Sequence, residues 1–380
     1  MLNLLKLLCQ TDGVSGCEEG LCQLIKQRVE PYCDQIFEDS MGNLYAFKKG
    51  KKPANQKIML AVHMDEVGLI IKGVTDDGYL KFGVVGGMDT RVLMGKRVRI
   101  DGGRTEAAPT GERVSVVGGD CGETGNPSPT SGCESAISGV GGAPTDGIIS
   151  IKAVHLSNQE ERKTVPEPSS LYIDIGAKSR EQALQMVNIG DYAAFYSPFE
   201  QSGNTLRGRA FDDRVGCAAA IKLIEQTPPV DIWVCFTVQE EVGTRGAKIA
   251  ANRINPDMAI VIDTTTACDL PKIPDSKTVC NMGGGVVISY MDMGTIYHKP
   301  FVEQLTRLAR EHKIPHQFKR YLAGGTDAAA ISASGQGVPT AGLGIAARYI
   351  HSPTGVCNRG DIENMYALLE LFLGEFAEGN

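Results

Sequence analysis

Ile232-Trp233-Val234-Cys235-Phe236-Thr237-Val238 is an almost unbroken apolar and β-branched run, and it leads straight into Gln239-Glu240-Glu241. A strand covered on both faces reads this way, because neither face meets water. Two other stretches repeat the pattern. Residues 58–62 are continuously apolar and end in His63-Met64-Asp65, and Met258-Ala259-Ile260-Val261-Ile262 ends in Asp263-Thr264-Thr265. Helical spacing fills the intervals at residues 20–29, 213–226, 246–252, 301–312 and 364–376. This alternation predicts an α/β fold: a mostly parallel sheet with helices on both faces.

From about Gly68 the texture changes. Short β-like runs separated by glycines continue to about residue 195, the pattern of a small β-barrel or sandwich. The expected organisation is a discontinuous larger domain, 1–67 and 196–380, with a β-rich domain at 68–195 inserted after His63-Met64-Asp65. Residues 101–146 are rich in Gly, Ser, Thr and Pro and lack periodicity. They are expected to form an insertion or surface loop that takes no part in the chemistry.

The 380 residues suffice for two or three domains, and 42% apolar with 22% charged residues is ordinary for a globular protein. Net charge is −7 and no basic run stands out, which argues against nucleic acid or an anionic membrane surface as partner. No apolar stretch approaches the ~20 residues that span a bilayer, and residues 2–8 read as an amphipathic helix rather than a signal peptide. The expectation is a soluble cytoplasmic protein. Its 11 cysteines include no Cys-x-x-Cys pair and are expected to be reduced thiols.

In open α/β sheets, ligands bind outside the carboxyl ends of the strands. His63, Asp65, Glu240, Glu241 and Asp263 all fall at such ends, and Asp212 and His351 flank a helix start and a turn. Two imidazoles and several carboxylates at one edge suit zinc, cobalt or manganese. Ordinary roles exist for single members. Asp212 could cap the following helix, Asp263 could serve a turn, and His351 could be a satisfied loop histidine. Glu240-Glu241 resists that treatment, since adjacent carboxylates beside a buried strand repel each other unless a cation or a shared proton is present. Asp65 could orient His63 through the second ring nitrogen.

Five ordered strings carry a resemblance: Ala-Val-His63-Met-Asp65-Glu-Val-Gly, Phe211-Asp212-Asp213-Arg214-Val-Gly, Val-Gln239-Glu240-Glu241-Val-Gly-Thr-Arg-Gly, Val-Ile-Asp263-Thr and Ile-His351-Ser-Pro. Together with the weaker Gly324-Gly325-Thr326-Asp327-Ala328, they are similar to the dinuclear metallo-aminopeptidases of metallopeptidase family forty-two. The resemblance implies two divalent metals per subunit, zinc or cobalt first and manganese next. Asp212 would bridge them, with His63 and Asp263 completing one site and Glu241 and His351 the other. Glu240 would be the general base, with Asp65 beside it as a second catalytic candidate. It also implies a PDZ-like inserted barrel, short peptides as substrates, and a homododecamer built from dimers. Two rivals remain at this stage: a dinuclear deacylase acting on N-acyl amino acids, and an assembly protein without catalysis.

Overall fold

A computed structural model describes residues 1–101, 144–159, 162–322 and 324–377. The chain opens with helices α1 (Leu2–Gln10) and α2 (Glu19–Val29), followed by strands β1 (Gln35–Glu38), β2 (Leu44–Lys48) and β3 (Ile58–His63). Next come β4 (Gly68–Val74), β5 (Leu80–Val85), β6 (Arg97–Ile100), β7 (Thr145–Ile149) and β8 (Ile173–Asp174), then α3 (Arg180–Met186) and β9 (Tyr192–Phe195). After β10 (Glu200–Ser202) and β11 (Thr205–Gly208) come α4 (Phe211–Glu225), β12 (Ile232–Thr237), α5 (Arg245–Ile254) and β13 (Met258–Thr266). The last part holds β14 (Val286–Ser289), α6 (Lys299–Glu311), β15 (His316–Phe318), α7 (Ala328–Ser332), β16 (Thr340–Arg348), β17 (Gly355–Asn358) and α8 (Arg359–Gly374).

β3 lies between β12 and β13, parallel to both, and all six of its residues are buried. Its side chains alternate between two cores. Leu60 and Val62 pack with Val234, Phe236 and Ile260 beneath α1, α2 and α4, whereas Met59 and Ala61 pack with Cys235 and Val261 beneath α5 and α7. Helices therefore cover both faces. Each such buried aliphatic side chain contributes ~1.5–3 kcal/mol, which fixes the register that aims β3, β12 and β13 at one edge.

The sheet is mixed, not mostly parallel as expected. Its order is β1-β2-β12-β3-β13-β16-β17-β11-β10, with β14 paired to β16 and β15 to β14. Only β12-β3-β13-β16 forms a continuous parallel core; β1, β2, β17, β11 and β10 extend it with antiparallel pairs. The cause is connection length. Parallel neighbours need a crossover of a dozen or more residues, while a short turn such as Gly203-Asn204 between β10 and β11 permits only antiparallel pairing.

Strands β4-β5-β8-β7-β6-β9 close into an antiparallel barrel around its own core of Leu69, Ile71, Leu80, Val98, Ile149 and Phe195. β7 begins at Thr145, so the last residues of the 101–146 stretch belong to the barrel; residues 102–143 lie outside the described residues. The nine cysteines described are free thiols, and among the described residues no helix is long and apolar enough to cross a membrane.

Candidate metal centre

The apolar run of β3 stops at His63, whose side chain is buried. Its Nδ1–H donates to the Asp65 carbonyl oxygen at 3.1 Å. That bond sets the tautomer. The Nε2 lone pair then faces Asp212 Oδ1 at 3.1 Å and Asp263 Oδ1 at 3.9 Å.

Asp212 sits at the start of α4 in a non-helical conformation (φ −84°, ψ 105°), and the Asp212–Asp213 peptide is cis. Its second oxygen, Oδ2, lies 3.4 Å from His351 Nε2, and that nitrogen is 3.1 Å from Glu241 Oε2. One carboxylate therefore spans two imidazoles. The outcome is two donor triads, His63-Asp212-Asp263 and Asp212-Glu241-His351, each with its ligand atoms within 4.8 Å of one another. The helix-capping role falls instead to Asp213, whose Oδ1 accepts the Gly216 N–H at 2.9 Å. Asp263 does make a turn-type bond, from Thr264 N–H at 2.6 Å, with the same oxygen that faces His63.

After β12 the chain bends at Gln239 (φ 57°), which turns the next two backbone N–H groups inward. Glu240 N–H donates to Asp65 Oδ1 at 2.9 Å and Glu241 N–H to Asp65 Oδ2 at 3.1 Å. Ser15 Oγ–H adds a bond to Oδ2 at 2.6 Å. Burial opposes the charged form of Asp65, yet the His63 imidazole and the Ser15 hydroxyl hold its carboxyl below the usual range. Asp65 is thus a fully engaged acceptor that ties the β3 end to the β12 turn.

Electrostatics decide whether this donor set fits a cation. Burial, reinforced by the charge of Asp327 and other acids, pushes Glu240 up to about 9, and burial plus Asp212 pushes Glu241 up to about 8. Burial and Asp212 likewise raise Asp263 well above the carboxylate range. For His351, burial favours the neutral ring, but the bond to Asp212 and the Glu241 charge lift it to about 9. Acids crowded until they resist ionisation are the surroundings that a divalent cation relieves, and nitrogen and oxygen donors in two triads match borderline metals.

Sequence reading passed over several residues that support the site. Glu66 accepts from Arg209 Nη1 at 2.9 Å, Arg214 Nη2 at 3.1 Å and Gly13 N–H at 3.1 Å, all buried. Arg209 also donates to the Cys9 carbonyl at 3.0 Å and pairs with Asp12, so the network fastens α1 and its following loop to the strand that carries His63. The two arginines flanking Phe211-Asp212-Asp213 were the available signal. Asp327, in the glycine-rich motif, accepts from Thr237 Oγ at 2.5 Å beneath the end of β12.

The description of the M42 glutamyl aminopeptidase family matches residues 42–111 and 126–368. This chain belongs to that family. As an M42 enzyme it is a metal-dependent aminopeptidase, a hydrolase of peptide bonds that uses divalent metal. It is 36% identical to a putative aminopeptidase of Acetivibrio thermocellus over 97% of both chains. It is 29% identical to the lysyl aminopeptidase of Pyrococcus furiosus, over 98% of this M42 chain and 96% of that one. An aminopeptidase structure from Desulfurococcus kamchatkensis superimposes with a TM-score of 0.84 at 32% identity, covering 99% of this chain and 94% of the other. The TET1 peptidase of Pyrococcus horikoshii, described as assembling into a tetrahedron or a large octahedral shell, gives 0.78 at 31% identity over 99% of both chains.

Proposed function

We propose that this enzyme removes the first residue from short peptides at a dinuclear centre. Asp212 bridges the two positions, His63 and Asp263 complete one, and Glu241 and His351 complete the other. The observation that carries this reading is the division of the two Asp212 oxygens between His63 and His351. Divalent ions held there, zinc or cobalt foremost and manganese as a third candidate, would polarise the scissile carbonyl and acidify water. The Glu240 carboxylate, without a hydrogen-bond partner among the described residues, takes the proton from the attacking water and returns it to the leaving amine nitrogen. Asp65 acts as a positioning residue, since its oxygens already accept from Ser15, Glu240 and Glu241. The surrounding carboxylates offer the substrate α-ammonium an anionic seat, which restricts cleavage to the first bond.

We further propose a larger domain of 1–67 with 196–380 and an inserted PDZ-like domain of 68–195 that mediates dimerisation, in a cytoplasmic homododecamer. The barrel segment supports this with exposed Ile148, Ile151, Leu156, Val165 and Ile189, apolar surface suited to packing against a second copy. Elemental analysis after metal reloading, followed by turnover of dipeptides with free and N-acylated termini, tests the central reading. Two equivalents of metal and hydrolysis of the free-amine substrates alone are expected; activity that survives exhaustive chelation would sink it.

A further inference from the structure

The ladder pairing of β12 ends at Thr237, opposite His63 on β3, and the chain beyond it is held differently. Four consecutive N–H groups donate to side chains. Val238 N–H reaches Asn43 Oδ1 at 3.0 Å and Gln239 N–H reaches Glu18 Oε1 at 3.1 Å. Glu240 N–H and Glu241 N–H follow, on the two oxygens of Asp65 at 2.9 and 3.1 Å. Inward-facing N–H groups need acceptors, and three distant segments of the chain supply them here. The turn that presents Glu240 and Glu241 therefore takes its shape from outside, not from a strand ladder.

Within that turn Gln239 sets the direction. Its φ of 57° lies in the left-handed region, which a residue with a side chain adopts only where its surroundings hold it. In an extended chain the side chains of Glu240 and Glu241 would point to opposite sides. The left-handed residue ahead of them breaks this alternation. Glu241 thereby reaches His351 at 3.1 Å, while the Glu240 charge still acts on His63.

Glu18 holds the N–H of that residue. It is 5% exposed and stands just before α2, whose Leu21, Cys22 and Ile25 are buried in the main core. Its side chain does not cap α2 but crosses to the β12 turn. The loop ahead of it is equally fixed. Ser15 N–H donates to the Glu66 carbonyl at 3.2 Å and Cys17 N–H to the Val14 carbonyl at 2.7 Å. A Cβ on Gly16 (φ 91°) would come within 2.7 Å of Tyr192 Oη, so the barrel packs directly on this loop.

We infer that Glu18 is a positioning residue for Glu240: by accepting the Gln239 N–H it holds the left-handed turn that keeps the Glu240 carboxylate on the attacking water. The inference rests on Glu240 being the general base of the proposed function. Glu241 is held by Asp65 through its N–H and by its place among the metal ligands. Release of Gln239 therefore shows at Glu240, in turnover and not in metal content.

Steady-state kinetics on a dipeptide, with metal content measured on the same samples, test this in Glu18→Ala, Glu18→Gln and the double variant Glu18→Ala with Gln239→Gly. Misplacing a reacting group by about 1 Å costs up to ~10²-fold, so Glu18→Ala should lose ~10–100-fold in kcat, with KM and metal content unchanged. Glu18→Gln keeps an acceptor oxygen and should recover most of that loss. Glycine adopts positive φ freely, so Gln239→Gly should return part of the lost kcat to Glu18→Ala, which a merely structural contribution from Glu18 would not allow. Wild-type kcat in Glu18→Ala, or a double variant no faster than Glu18→Ala, overturns the inference. So does a Glu18→Gln as slow as Glu18→Ala, which would trace the effect to charge, or a joint loss of metal, KM and kcat, which would make Glu18 a prop of the whole centre. If Glu18→Ala folds poorly, Glu18→Asp, one methylene too short to reach the Gln239 N–H, is measured in its place against the same outcomes. Glu240→Gln is the control: near-normal turnover there refutes the base reading itself, whatever the Glu18 variants show.

Discussion

Replacing Asp65 with Asn separates a residue that positions the site from one that reacts. The carboxylate accepts at least three donors: Ser15 Oγ–H at 2.6 Å, Glu240 N–H at 2.9 Å and Glu241 N–H at 3.1 Å. Asn keeps one oxygen and the same shape, but its amide nitrogen can only donate. Ser15 can rotate to accept from that nitrogen, which leaves the Glu241 N–H, formerly bonded to Oδ2, facing another donor. One charge-assisted bond is then lost and the others become neutral, a change of ~2–4 kcal/mol. Because the Asp65 carboxylate lies against the His63 ring and holds the Glu241 backbone, the loss should emerge as metal affinity weakened ~10–100-fold. Competition with a chelator measures that affinity, and turnover is then read at saturating metal. Asp65→Asn should recover most of its activity once metal is saturating. A variant that binds metal as tightly as wild type yet stays ~10²–10⁴-fold slow would show that Asp65 itself moves the proton, and the positioning role would be wrong.

Glu240→Gln should fold and bind two metals while turnover drops ~10²–10⁴-fold; near-normal turnover at saturating metal and substrate rejects Glu240 as the base. Glu241→Gln should lose metal first and be partly rescued by excess metal, which isothermal titration of metal into both variants can distinguish. Burial pushes Glu18 up to about 7 from 4.5, against the bonds it receives from the Gly16 and Gln239 N–H groups. A folded pKa raised in this way contributes stability that is complete below about 4.5 and is lost as pH rises through about 7. Glu18→Gln should therefore gain on wild type by on the order of 3 kcal/mol between those limits in denaturant titrations, and a pH-independent difference would contradict the assignment. Glu66→Ala leaves Arg209 and Arg214 buried without their shared anion and should cost ~3–5 kcal/mol; a loss below ~1 kcal/mol in urea unfolding would mean that the network is dispensable.

The parts of the fold that could be read from sequence are those whose residues report burial on both faces. β3, β12 and β13 are nearly continuous runs of Ile, Val, Leu and Met or aromatics, and nothing but a covered strand explains them. β16 is equally buried, but its Thr340-Ala-Gly-Leu-Gly-Ile-Ala-Ala-Arg348 lacks that signature. Its glycines are demanded by Tyr297 and by the Asp263 carbonyl, contacts that exist only once the chain has folded. The antiparallel margins were illegible for a different reason: β10, β11 and β17 are three or four residues long and too short to show a period. At the site, residue types and strand ends pointed to seven side chains. The resemblance implied that Asp212 is shared between two sites, but the non-helical backbone at 212 and 213 that divides its oxygens left no trace in the residue types.

The barrel leaves and rejoins the host at neighbouring points. Leu69 on β4 is paired with Ala193 on β9, so the first and last strands of the excursion lie side by side. To the sheet, everything between them is a single hairpin-like protrusion whose two stems stand one strand spacing apart, ~4.8 Å. Such an attachment makes no topological demand on the host, as tolerated insertions elsewhere show. Lengthening, trimming or exchanging the module leaves the path from His63 to Asp212 geometrically closed. The outer surface of the barrel can therefore vary in evolution while the hydrolytic machinery stays as it is.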